Sequence, residues 1–142
     1  MNIPWATIVR RAGLCLLVIA CGLALRGFGY TLGLSFFVVK YGGSVLWATA
    51  LFLFVAICAG RQPLWNIASI SLSIAVCVEL FRLVHTPWLD AFRLTLPGAL
   101  LLGRVFSPYN IVAYVLGIAL GAALAQGLER RVQAFPQSDR LP

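Results

Sequence analysis

Charge is scarce in this sequence, and acidic charge is the scarcest. Only four of the 142 residues are Asp or Glu, and all charged residues together make up 11% of the chain. Hydrophobic residues make up 61%, and the mean hydropathy is +0.95. This balance lies far outside the range of soluble domains. It excludes an ordinary soluble protein and predicts an integral membrane protein.

Residues that hold metals or redox groups are also few, and their spacing does not suit that purpose. The chain has one histidine and four cysteines, at Cys15, Cys21, Cys58 and Cys77. The cysteines lie inside apolar stretches, without a C-x-x-C pair and without a histidine at ligand spacing. We therefore expect no metal site and no cofactor.

The motifs of standard enzymes and of nucleic-acid binding are missing as well. The sequence contains no hydrolase nucleophile elbow, zinc-binding helix motif, P-loop or dinucleotide fingerprint. The formal net charge is +7, but the basic residues are scattered between apolar runs, and no basic helix or aromatic platform gathers them. The sequence argues against a nucleic-acid partner and leaves enzymatic activity open.

Long apolar runs predict an all-α bundle of about four transmembrane helices. The runs cover residues 12–30, 44–59, 64–84 and 110–128, and about 20 apolar residues are needed to cross a bilayer. We expect a single transmembrane domain over residues 1–131. The polar, proline-containing segment 132–142 is predicted to be a disordered tail.

Two connections are less regular than the spans. The segment 31–43, "TLGLSFFVVKYGG", is too short to cross, so it is expected to be an interfacial stretch or an extension of the first helix to Lys40. Residues 88–106 are amphipathic but interrupted by Pro97 and Gly98. A proline inside a helix breaks or kinks it. We therefore expect a short interfacial or re-entrant segment between the third and fourth spans.

Basic residues beside the spans predict the orientation in the membrane. Doublets flank the first and last spans, at Arg10 with Arg11 and at Arg130 with Arg131. Basic residues close to a span favour the cytoplasmic side. The prediction is a multi-pass membrane protein with both termini cytoplasmic and residues 85–108 outside.

Two acidic residues, one near the end of the third span and one in the connection that follows it, are close in sequence to arginines. Glu79 precedes Arg82 by three residues, and Asp90 precedes Arg93 by the same spacing. One interpretation is two local ion pairs at the exit of the third helix. The other is a polar site, because ionisable residues inside a membrane segment are costly and often functional.

Small residues recur every four positions in the fourth span. They are Ala113, Gly117, Gly121 and Ala125. This spacing puts them on one helix face, where neighbouring backbones can approach closely. The face is expected to pack within the chain, and the alternative is a homo-oligomer or a larger membrane partner bound through the fourth helix.

Several segments resemble a family of small bacterial membrane proteins. They are "KYGGSVLW", "VELFR", "WLDAFRLT", "LLLGRVF" and "NIVAYVLG", starting at residues 40, 78, 88, 100 and 110. Together they resemble the domain-of-unknown-function 2809 family, and more distantly the VanZ-like membrane proteins. The VanZ-like resemblance rests on an E-x-x-Q pattern followed by an arginine and by a polar residue that opens the last helix, and it implies that Glu79, Arg93, Asn110 and Tyr114 occupy that family's polar positions. It also marks two departures, since Arg82 stands where Gln is usual and Asn110 where Asp is usual.

These observations lead to three functional hypotheses. The first is an envelope protein whose outer-leaflet pocket, formed by Glu79, Arg82, Arg93, Asn110 and Tyr114, binds the polar or anionic headgroup of a membrane lipid. The second is a small membrane enzyme or transporter that uses Glu79 for proton transfer. The third is a structural subunit of a larger membrane complex.

Overall fold

The protein is a bundle of helices. The computed structural model describes residues 5–103 and 105–133, with the side chains of residues 100 and 129–133 left out. The helices are α1 (Trp5–Phe28), α2 (Phe36–Cys58), α3 (Leu64–Phe81), α4 (Pro87–Leu94), α5 (Leu96–Leu101) and α6 (Pro108–Gln133). Within this part of the chain, α1, α2, α3 and α6 are long and apolar enough to cross a membrane. The predicted all-α membrane fold is confirmed.

The second helix begins earlier than the sequence indicated. Residues 36–43 form the first turns of α2, so the expectation of an interfacial stretch or an extension of the first helix is wrong for them. The side chain of Ser35 caps the helix by accepting a hydrogen bond from the Val38 amide at 3.4 Å. The Lys40 amine lies over the Phe36 and Tyr41 rings at 5.5 and 5.2 Å from their centroids, which accommodates its charge near the helix end.

The core of the bundle forms around α2. This helix contacts α1, α3 and α6. Its Ala48, Phe52, Leu53 and Ala56 side chains are fully buried. A helix that is apolar all round is expected at the centre of a bundle, and α2 occupies that place here.

The small-residue face of α6 packs against α2. Ala113, Gly117, Gly121 and Ala125 are all buried. A side chain at position 117 would collide with the Val45 carbonyl, and a Cβ at position 121 would come within 2.9 Å of Phe52. We call this contact the α2–α6 seam. It is the intrachain packing that the four-residue spacing predicts.

The connection between α3 and α6 is a pair of short helices, α4 and α5. The chain breaks between them at Thr95, whose side chain accepts a hydrogen bond from the Gly98 amide at 3.2 Å. Pro97 lies in the first turn of α5, where its missing N–H is not needed. The predicted interruption at Pro97 is therefore confirmed. We call the end of the bundle that carries α4, α5 and residues 29–35 the hairpin end.

The opposite end of the bundle carries the first turns of α1 and the turn from α2 to α3. Gly60 takes a left-handed conformation, with φ of 70°, directly after the C-cap residue Ala59 of α2, which is a common way to end a helix. Arg11 is buried and donates a hydrogen bond of 2.6 Å to the Ala56 carbonyl. One arginine of the predicted topology doublet thus also binds the carboxyl end of α2. The helix α6 continues to Gln133, and residues 134–142 of the predicted tail lie outside the described residues.

Candidate functional site

The Glu79 carboxylate is the centre of a buried polar cluster at the hairpin end. Its Oε1 atom accepts hydrogen bonds from the Ser107 amide at 2.7 Å and the Asn110 side chain at 3.1 Å. Its Oε2 atom accepts one from the Tyr114 hydroxyl at 2.5 Å and faces Arg82 Nη1 at 2.6 Å. The Glu79 side chain has no exposed surface. A buried carboxylate is tolerated when it is paired and hydrogen-bonded in this way.

Two short sequence spacings build this cluster. Glu79 and Arg82 are three residues apart at the end of α3, so they meet on one face. Asn110 and Tyr114 are four residues apart in the first turns of α6 and therefore share a face as well. Ser107 directly precedes α6, and amides at a helix start are free to bind an anion. The sequence missed Ser107 because it contributes its backbone and not its side chain.

Ser44 links the cluster to α2. Its hydroxyl lies 3.2 Å from the Asn110 side-chain oxygen and 3.2 Å from the Lys40 carbonyl. Ser44 was not among the predicted site residues. The available signal was a polar residue near the start of an apolar run, which is common and does not by itself indicate a site.

The Arg82 guanidinium also holds the loop that follows α5. Its Nε atom donates to the Leu102 carbonyl at 2.7 Å, and Nη1 lies 3.5 Å from the Val105 carbonyl. Gly103 has a φ of 68°, and a Cβ at this position would come within 2.7 Å of the guanidinium carbon. Glycine is required there because the backbone crosses so close to Arg82.

Arg93 lies in a separate cluster at the end of α3. It is buried, and it donates hydrogen bonds to the Phe81 and Val84 carbonyls at 2.7 and 2.8 Å. Its Nη1 atom also pairs with Asp90 at 3.1 Å, and the Asp90 carboxylate lies 3.2 Å from His85. The predicted ion pair between Asp90 and Arg93 is present. Its main partners are carbonyls at a helix end, where a cation is stabilised.

A cavity of about 570 Å³ lies beside the Glu79 cluster, between α1, α2 and α5. Most of its lining is apolar, with Val18 of α1, Leu46 and Phe54 of α2, and Leu101 of α5 among the residues that form it. Arg26, Arg82, Ser44 and Tyr114 contribute the polar part of the lining. We call this cavity the groove. The sequence predicted that Glu79 would face a cavity, but Arg82 and Tyr114 line the groove and Glu79 lies behind them.

The structure therefore brings together four of the five predicted ligand-binding residues. Glu79, Arg82, Asn110 and Tyr114 form one cluster, whereas Arg93 binds the end of α3. Arg26 was not among the predicted site residues, although it lines the groove from the last turn of α1. Within the described part of the chain, no three His, Cys, Asp or Glu side chains are arranged to hold a metal ion.

Comparison with known families gives one match. Residues 34–118 match the family described as "Protein of unknown function (DUF2809)". The chain belongs to the DUF2809 family. The matched segment includes the whole Glu79 cluster and the α4–α5 connection, whereas α1 and Arg26 precede it. No solved structure matches the chain.

Proposed function

We propose that the protein binds an anionic membrane lipid, with the lipid chain in the groove and the headgroup at Arg26 and Arg82. The observation that carries this proposal is the groove itself. It combines an apolar lining with two arginines, among helices that are long and apolar enough to cross a membrane. Ligand sites of 300–1,000 Å³ with mostly apolar walls and a few polar groups are typical of small-molecule binding.

The length of the groove fits a chain in one leaflet of the membrane. Along α1 its lining runs from Cys15 to Arg26. These residues are eleven positions apart, which corresponds to about 16 Å of helix. Half of a hydrocarbon core of about 30 Å has nearly the same depth. An acyl chain that enters from the hairpin end would thus lie along the apolar lining without leaving its leaflet.

The two arginines suit a phosphate or carboxylate headgroup. The Arg26 side chain makes no hydrogen bond or ion pair with any other described residue, and Arg26 is exposed. Arg82 is held in place by Glu79 and the Leu102 carbonyl. Guanidinium groups form strong, charge-assisted hydrogen bonds with such anions, particularly where water is partly excluded.

The other hypotheses have less support. As a proton acceptor Glu79 would need access to the groove, but it is fully buried and its oxygens already face four donors. A structural subunit bound through the small residues of α6 would need that face, which α2 occupies. A partner elsewhere on the bundle stays a prediction.

Lipid retention tests the proposal. The protein is purified in a mild detergent with added phosphatidylglycerol, and native mass spectrometry measures the bound lipid. The parent should retain one lipid, and Arg26→Ala should retain about tenfold less because a charged hydrogen-bonded contact is lost. Lys40→Ala is the matched control, because it removes a cation at the same end that does not line the groove. Equal retention by the parent and Arg26→Ala would contradict the proposal.

The proposal also places the hairpin end on the outer side of a bacterial inner membrane. The support is the pair of arginine doublets at the opposite end, which favours cytoplasmic termini. Reporter fusions after Pro142 and within residues 85–87 should give opposite answers. Matching answers would mean that the four helices do not all cross.

A further inference from the structure

We infer that the groove selects a lipid with a singly charged phosphodiester headgroup over a phosphomonoester, and that Glu79 determines this preference. The inference rests on the proposed function and adds a class of headgroup to it. It follows from which nitrogen atoms of Arg82 and Arg26 are available and from the net charge beside the groove.

Arg82 can offer only one nitrogen to a ligand. Its Nε atom donates to the Leu102 carbonyl, and its Nη1 atom pairs with Glu79. No described residue accepts a hydrogen bond from Nη2. A two-pronged contact needs two neighbouring nitrogens of the guanidinium. Arg82 therefore contributes the N–H groups of Nη2 alone, in a position held by Glu79 behind it.

Arg26 can form a bidentate contact with a ligand, because two neighbouring nitrogens of its guanidinium are available. Its guanidinium has no partner among the described residues. The side chain lies along α2 beside Gly43, because a Cβ added at Gly43 would be 3.7 Å from Arg26 Nε. A phosphodiester has two non-bridging oxygens, which match the two prongs of one arginine. Arg82 Nη2 can then bind one of these two oxygens. Among the described residues that line the groove, no further guanidinium is available for the third oxygen of a phosphomonoester.

The charge of the site agrees with this count. Among the described residues, Arg26 and Arg82 contribute two positive charges to the groove lining, and Glu79 cancels one of them, so these three groups carry a net charge of about +1. A phosphodiester carries one negative charge, whereas a phosphomonoester carries about −1.5 to −2 at pH 7. The second charge of the monoester would stay uncompensated in a site partly closed to water. Glu79 thus acts as a positioning and specificity-determining residue without touching the lipid.

The experiment is a competition between two lipids with identical chains. The full-length protein is given phosphatidylglycerol, a phosphodiester, and phosphatidic acid, a phosphomonoester, in equal amounts, and native mass spectrometry measures the ratio bound. The parent should prefer phosphatidylglycerol. Glu79→Gln removes the negative charge but keeps the shape, and should shift the ratio about tenfold toward phosphatidic acid. Asp90→Asn is the matched control, since it removes the same charge at the same end but pairs with Arg93 outside the groove, and it should leave the ratio unchanged.

A second variant covers the case in which Glu79→Gln does not fold. Arg26→Lys keeps the charge but replaces the two-pronged edge by a point charge, so it should reduce the preference for phosphatidylglycerol while retaining anionic lipid. If the parent binds both lipids equally and Arg26→Lys does not change the ratio, the headgroup inference is wrong and the groove proposal stands. If the parent retains neither lipid, the proposed function fails. Displacement of the lipid by an equal concentration of inorganic phosphate would overturn both, because it would show that the lipid chain adds nothing to binding.

Discussion

The α2–α6 seam and the Glu79 cluster both hold α6 in the bundle, at two depths and by different means. In the seam, Gly117 and Gly121 allow α6 to approach Val45 and Phe52 of α2 closely. In the cluster, α6 is joined to α3 through the Glu79 carboxylate and to α2 through Ser44 and Asn110. The seam contains small residues and no charge. The cluster contains a fully buried carboxylate, that of Glu79, which pairs with Arg82.

The difference shows how depth in a membrane protein changes the physics of helix contact. Inside the bilayer, apolar surfaces gain little by meeting each other instead of lipid, so close packing of small residues holds the helices. Near the end of the spans, polar groups can be buried if they satisfy one another. The seam should therefore be sensitive to added volume and the cluster to removed partners.

Removing the central carboxylate should have the largest effect. Glu79→Ala leaves the Arg82 guanidinium, the Ser107 amide and the Tyr114 hydroxyl without their shared acceptor. Breaking a buried ion pair from one side costs about 3–5 kcal/mol. We expect a loss of stability of that order, measured by unfolding in detergent. Asp90→Ala, which removes an acid whose side chain is 45% exposed, should cost less, because the buried Arg93 guanidinium keeps its hydrogen bonds to the Phe81 and Val84 carbonyls. Similar losses in the two variants would mean that the Glu79 cluster is not a stability centre.

Adding volume to the seam should have the next largest effect. Gly121→Ile would place a branched side chain where even a Cβ lies 2.9 Å from Phe52. Overpacking of this kind costs about 1–3 kcal/mol. Gly127→Ile on the same helix is the control, because a Cβ there meets nothing within 4 Å. The seam is not a tight contact if the two variants unfold at the same midpoint.

Removing one donor from the cluster should have a smaller effect than removing the acceptor. Tyr114→Phe deletes only the hydroxyl that donates to Glu79 at 2.5 Å, and hydrogen bonds to charged groups are worth about 1.5–3 kcal/mol. Because three other donors remain, we expect a loss near the lower value in the same unfolding measurement. Tyr109→Phe, at a residue that is 69% exposed, should change little. An unchanged Tyr114→Phe variant would show that the carboxylate does not depend on this hydroxyl.

The smallest effect should come from removing the hydrogen bond between the Thr49 side chain and α6 in the α2–α6 seam. The Thr49 hydroxyl lies 2.9 Å from the Gly117 carbonyl, and Thr49→Val removes it at nearly constant volume. Hydrogen bonds between transmembrane helices average about 0.6 kcal/mol. The unfolding midpoint should fall by a correspondingly small amount, and Thr31→Val at an exposed position should leave it unchanged. A loss as large as that of Gly121→Ile would show that the seam depends on polar bonding and not on close packing.

Much of the fold could be predicted because its signals are local. Apolar runs predicted the spans, and Pro97 predicted the break in the connection. The start of α2 was missed because Gly42 and Gly43 weaken the apolar pattern there. In the structure a Cβ at Gly42 would lie 3.0 Å from Leu25 of α1, so that glycine serves close helix packing.

The candidate site was predictable only where its residues are neighbours on one helix. The spacing of Glu79 and Arg82 and that of Asp90 and Arg93 indicated both ion pairs. It could not indicate that Arg93 would bind the end of α3, because carbonyl groups leave no trace in a sequence. Arg26 was missed as a site residue for a related reason, since a single arginine at the end of a span is common.

Composition alone determined that this chain belongs in a membrane, because 61% hydrophobic and 11% charged residues cannot cover a soluble surface. Helical periodicity determined which residues share a face, including Gly117 and Gly121. Only the tertiary structure decided what each face meets. It put Arg26 and Arg82, 56 positions apart in the chain, on the lining of one groove. The reason is that contacts between distant segments depend on how the helices pack, and packing is a property of the whole bundle.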